Sequence, residues 1–117
     1  MGILNRSAVI LRPKKPFLDW RNSIEVRDGR KGDYTLSALR EDLKVYLVPG
    51  FRDPKYVEAR VFEEFDLYFI DQLQACITME NEWPKNRTVE MFKKWFDIEI
   101  IVFVDDAVID QDIIEEE

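Results

Sequence analysis

The residues of this chain best suited to chemistry are acids that close one apolar run and bases that close another. Asp105 and Asp106 directly follow Ile98-Glu99-Ile100-Ile101-Val102-Phe103-Val104, the strongest strand pattern in the sequence. Carboxylates at a strand end are a usual place for a hard divalent cation such as magnesium, which takes oxygen ligands. Arg12, Lys14 and Lys15 follow a second apolar run at 7–11, and Arg52 follows a third at 43–48. In a parallel sheet these ends share one edge, and opposite charges meet there. Such a site would suit a small carboxylate-dependent enzyme acting on a phosphorylated or cationic small molecule. The plainer reading is a set of solvated loop ends joined by weak ion pairs.

A second pair of candidate binding residues lies in the break at 81–87. Trp83 precedes Pro84 and stands near Lys85 and Arg87. A tryptophan beside an arginine is a typical interface anchor. It can equally be a lid over the core.

Other chemistries lack their parts. With no His and one Cys, the chain has no serine triad, no usual zinc ligand set and no internal disulfide. Cys76 falls on an apolar helical stripe with no base in view, as a structural thiol does. The four glycines form no phosphate-binding loop. The sequence therefore calls for no cofactor, no metal and no catalytic residue.

The charge is uneven. Residues 1–31 carry +5, residues 97–117 carry −9, and the whole chain carries −7. That balance disfavours generic nucleic-acid binding, which needs a basic surface. No apolar stretch approaches the roughly 20 residues of a membrane span, and the first residues lack the apolar centre of a signal peptide. A cytoplasmic protein is expected.

These residues must be positioned by the elements around them. A strand is expected over 7–12, stopped by Pro13 and apolar on both faces. A helix follows from Pro16, with Phe17, Trp20 and Ile24 on one side. A polar loop spans 28–33, and Thr35 caps a short helix. A strand at 43–48 leads to Asp53-Pro54, a strong helix start. From there Val57, Val61, Phe65, Phe69, Leu73 and Cys76 suggest one helix of some 20 residues. Thr88 caps another short helix, and the strand at 98–104 follows. The order is β-α-α-β-α-α-β in one domain over 1–117, with an acidic tail from about 106. Helical crossovers favour parallel pairing. The expected fold is α/β, a small three-stranded sheet, mainly parallel or mixed, with packed helices. The last strand is expected inside the sheet or covered by a second subunit, as a homodimer, because a bare apolar edge invites aggregation.

The segments Asn5-Arg6-Ser7-Ala8-Val9-Ile10-Leu11-Arg12-Pro13-Lys14-Lys15-Pro16-Phe17-Leu18-Asp19-Trp20 and Trp83-Pro84-Lys85-Asn86-Arg87-Thr88-Val89-Glu90-Met91-Phe92-Lys93-Lys94-Trp95-Phe96 resemble a family of small bacterial proteins of unassigned function. The resemblance covers about a quarter of the chain. It implies a bacterial cytosolic protein and transfers no site residue. A full core without a nucleophile, a cofactor loop or a metal cluster suggests a non-catalytic interaction or regulatory module with a protein partner of basic character. The enzyme described above is the alternative.

Overall fold

The computed structural model describes residues 2–3, 5–27, 29–50 and 52–108. The acidic tail falls outside them from residue 109. Strand β1 (Gly2–Ile3) precedes β2 (Arg6–Pro13), and α1 (Lys15–Ser23) follows, with Pro16 in its first turn. Next come β3 (Glu25–Arg27), β4 (Arg30–Lys31), α2 (Leu36–Leu39) and β5 (Val45–Pro49). The second half holds α3 (Pro54–Glu63), α4 (Phe65–Cys76), a 3-10 turn at Glu80–Glu82, α5 (Val89–Trp95), β6 (Phe96–Ile101) and β7 (Asp105–Asp106).

Helix starts follow the capping residues. Thr35 Oγ1 accepts from the Ala38 amide at 3.1 Å, Asp53 Oδ1 from Lys55 at 2.9 Å and Thr88 Oγ1 from Met91 at 3.2 Å. Each bond satisfies an amide that the first helical turn leaves without a partner.

The main sheet has three strands in the order β5-β2-β6, with β2 in the centre. Both pairings are antiparallel: Ala8 faces Leu47 and Ile101, and Arg12 faces Asp97. This corrects the expectation of a mainly parallel sheet. The reversal lies in the first connection, from β2 to β5, which also contains the antiparallel β3–β4 ribbon, with Gly29 at φ 72° between its strands. The second connection, from β5 to β6, joins two strands that run the same way on either side of β2, so the break in the expected long helix leaves strand direction unchanged.

The helix break has a physical origin in the sequence. Val57, Val61, Phe69 and Leu73 are all fully buried and lie at multiples of four residues. In a helix of 3.6 residues per turn, each step of four rotates the stripe by about 40°. Over 16 residues a straight helix would carry Leu73 roughly 160° away from Val57. Glu64, at φ −107° and ψ 23°, ends α3 and starts α4, and the stripe is reset.

One face of the sheet carries the core. Val9 and Leu11 of β2, Val48 of β5 and Phe96 of β6 are buried against Phe17, Trp20, Phe69, Leu73, Trp83 and Phe92. The Phe69 ring packs at 5.3 Å from Trp95, 5.6 Å from Phe96 and 5.8 Å from Phe92, centroid to centroid. Such tilted and edge-on contacts suit aromatic quadrupoles. Among the described residues the last strand is an edge strand, not an interior one, because β6 pairs there only with β2. Two further residues, β7, pair with β1 through Gly2–Asp106 and Ile3–Asp105.

Candidate functional site

The antiparallel sheet separates the charges that a parallel one would gather. Arg12 lies beside Asp97 at the start of β6, whereas Asp105 and Asp106 lie beyond its end, next to β1. The eight residues of β2 run between these two groups. Each base of the first group has its own carboxylate. Arg12 Nη1 is 3.0 Å from Glu99 Oε2, Lys14 Nζ 3.8 Å from Asp97 and Lys15 Nζ 2.9 Å from Asp19. Arg52 is exposed. Asp106 Oδ1 accepts from the Val108 amide at 2.9 Å. Among the described residues, no three carboxylates or thiols converge as a metal-ligand group.

Trp83 is buried in the core, and its Nε1 donates to the Ile77 carbonyl at 2.8 Å. Of the two readings offered by its sequence context, the structure supports the lid. Arg87 holds the same loop in place. Its Nε and Nη2 donate to the two Asp66 oxygens at 2.7 and 3.2 Å, and Nη1 donates to the Pro84 carbonyl at 2.9 Å. The hydrogen bond to Asp66 raises the Arg87 pKa above its ordinary value, so the fork stays charged.

A polar cluster fastens β5 to α4. Asp71 Oδ2 accepts from Lys44 Nζ at 2.8 Å and from the Tyr46 hydroxyl at 2.6 Å, and Gln72 Nε2 donates to Tyr46 at 2.8 Å. Burial pushes the Tyr46 phenol up strongly, and the Asp71 hydrogen bond adds to it. For Asp71, burial pulls upward, but the bonds from Lys44 and Tyr46 prevail and lower it. A lowered carboxyl stabilises the fold above the ordinary carboxylate range, and that contribution is lost as pH falls through the folded-state value. We expect Asp71→Asn to cost about 0.5–1 kcal/mol near pH 7, because the pair is half-exposed. The gap between variant and parent should close below about pH 4 in urea titrations. An unchanged gap at low pH would show that the loss is steric.

The sequence reading did not anticipate the second face of the sheet as a surface. Strand alternation places Ala8, Ile10 and Arg12 of β2 opposite the core face. Their cross-strand partners are Leu47, Val45 and, on β6, Ile101, Glu99 and Asp97. Val45 is 54% exposed, Leu47 48% and Ile101 42%. Phe103, just beyond β6, is 70% exposed. Ala8 is buried between its larger neighbours. The signal was legible as the two apolar faces of residues 7–12, which suggested a strand covered on both sides.

A second unanticipated feature lies by α1. Arg21 is 8% exposed, and its guanidinium carbon sits 4.4 Å from the Tyr34 ring centroid. Nη2 donates to the Tyr34 hydroxyl at 3.2 Å, and the buried Nη1 has no hydrogen-bond partner. Burial pushes the half-buried Cys76 thiol up, against the pull of the Arg21 charge.

Among the described residues, no helix is long and apolar enough to cross a membrane. Comparison with protein-family models, curated proteins and solved structures finds no match to the chain.

Proposed function

We propose that the protein is a non-catalytic interaction module that holds a basic protein partner on the open face of its sheet. The observation that supports this reading is the apolar row of Val45, Leu47, Ile101 and Phe103, exposed around Ala8. Contiguous apolar surface of this kind marks contact sites more often than idle surface. The charge around it selects the partner's sign. Arg12 and Lys14 are neutralised by Glu99 and Asp97, whereas Asp105, near Phe103, has no ion pair among the described residues. With a chain charge of −7, the field steers a cationic partner toward this end. The partner therefore presents apolar side chains rimmed by Lys or Arg.

The test uses the full chain and the variants Leu47→Lys and Phe103→Lys. Both side chains are well exposed, so folding should change by no more than about 0.5 kcal/mol. Proteins captured by the parent are identified, purified and titrated. The expected outcome is a basic protein whose affinity drops at least about tenfold with either variant and weakens with salt. Equal binding by parent and variants overturns the surface assignment. Self-association abolished by Leu47→Lys in sedimentation would instead make a second copy of the chain the occupant and overturn the basic partner.

A further inference from the structure

We infer that Arg21 and Tyr34 form a binding site for a carboxylate. A guanidinium without a counter-charge is costly to bury, and buried arginines are normally paired with acids. Arg21 forms no ion pair among the described residues, although it is more than nine-tenths buried. Its one hydrogen bond goes to a neutral phenol, and Nη1 is left without an acceptor. An orphaned donor of this kind costs about 1–3 kcal/mol, more when charged, so the position needs an acceptor that the described residues do not supply.

The geometry identifies the ligand class. Two donors are left over on groups already in contact: Nη1–H of Arg21, which has no partner, and the hydroxyl hydrogen of Tyr34, whose oxygen accepts from Nη2 at 3.2 Å. Two neighbouring donors match the two oxygens of one carboxylate, and one guanidinium balances its single charge. Phosphate at neutral pH carries more than one charge and three or more acceptor oxygens, which this pair of donors leaves unsatisfied.

Entry requires the Tyr34 ring to tilt, and the local structure permits it. Tyr34 is 43% exposed and lies outside any helix or strand. Its backbone is fixed from both sides by Asn22: the Tyr34 amide donates to Asn22 Oδ1 at 2.9 Å, and Asn22 Nδ2 donates to the Tyr34 carbonyl at 3.0 Å. The ring can thus swing outward about an anchored main chain, uncovering the guanidinium with the hydroxyl still nearby. Arg21 acts electrostatically on Cys76, so the thiol reports occupancy. A bound carboxylate cancels the cation that favours the thiolate, and alkylation of the thiol slows.

The experiment measures thermal midpoint and Cys76 alkylation with sodium acetate, sodium phosphate and sodium chloride at matched ionic strength. Acetate at ten times its dissociation constant is expected to raise the midpoint by about 5 °C over chloride and to slow alkylation. Tyr34→Phe keeps the ring over Arg21 and should lose most of the acetate effect, read against its own midpoint in chloride because the variant also removes the acceptor of Nη2. Arg21→Met should lose the effect entirely while melting no lower than the parent in chloride, since it removes an unpaired buried charge. A phosphate effect larger than that of acetate overturns the carboxylate assignment. Identical midpoints in all three salts, or an Arg21→Met chain that melts well below the parent in chloride, overturn the site and make Arg21 a packing element. This inference concerns a surface apart from the open sheet face and survives or fails independently of it.

Discussion

Phe69→Ala is expected to lower stability by about 3–5 kcal/mol, a large part of the roughly 5–15 kcal/mol that holds a domain together. The ring is fully buried and meets Phe92, Trp95 and Phe96 within 5.8 Å. Removing it takes away its transfer free energy and leaves a void among rigid aromatic neighbours, which collapse poorly. The same ring joins α4 to α5 and to β6, so the void would loosen the sheet from its helices. Phe65 provides the internal comparison. It lies on the same helix, only partly buried, 6.1 Å from Phe92, so Phe65→Ala should cost markedly less. Denaturant titrations of the two variants decide the matter. Equal losses would mean that the difference in burial does not distinguish the two positions.

Trp83→Ala should be nearly as severe, at about 3–5 kcal/mol. Trp83 is buried in the core although it belongs to no helix or strand, and its indole N–H is bonded to Ile77. The variant loses aromatic area, opens a cavity and leaves the Ile77 carbonyl without this donor. Trp83→Phe separates the contributions. It keeps most of the packing and should lose only about 1–2 kcal/mol, the bond and part of the ring. A small effect of Trp83→Ala would show that the residue is a surface anchor after all, as its neighbours Lys85 and Arg87 suggested from the sequence.

What was legible in the sequence was local. The caps at Thr35, Asp53 and Thr88 are one-residue signals, and all three side chains cap as expected. The presence of three main strands among helices was legible for the same reason, since runs of β-branched and aromatic residues report on their own neighbourhood. Strand direction is not local. It depends on how many times the chain turns between strands, and the connection from β2 to β5 hides a turn in the β3–β4 ribbon, whose Asp28-Gly29 is a recognised hairpin signal. The break at Glu64 was hidden too, since no Gly or Pro marks the site and only the drift of the apolar stripe reveals it, but β5 and β6 on either side of that connection still run the same way.

The candidate site followed the sheet. Asp105 and Asp106 could meet Arg12–Lys15 only across a parallel edge, so the sign of one pairing decided whether a charged cleft existed. That the second apolar face of the sheet stays open, and that Arg21 is unpaired, were beyond reach for a different reason. An exposed leucine and a buried arginine look like any others in a sequence, and only three-dimensional packing distinguishes them.

The central strand also sets a clock on synthesis. Arg12 of β2 pairs with Asp97 of β6, and Ser7 Oγ donates to the Val102 carbonyl, so one side of the first long strand waits for nearly the last described residues. At roughly 5–20 residues per second, a ribosome needs about 4–17 s to travel from one partner to the other. Until then β2 can pair only with β5, and a two-stranded ribbon is marginal alone. The central strand of the sheet is therefore the one that the nascent chain leaves half-finished for longest.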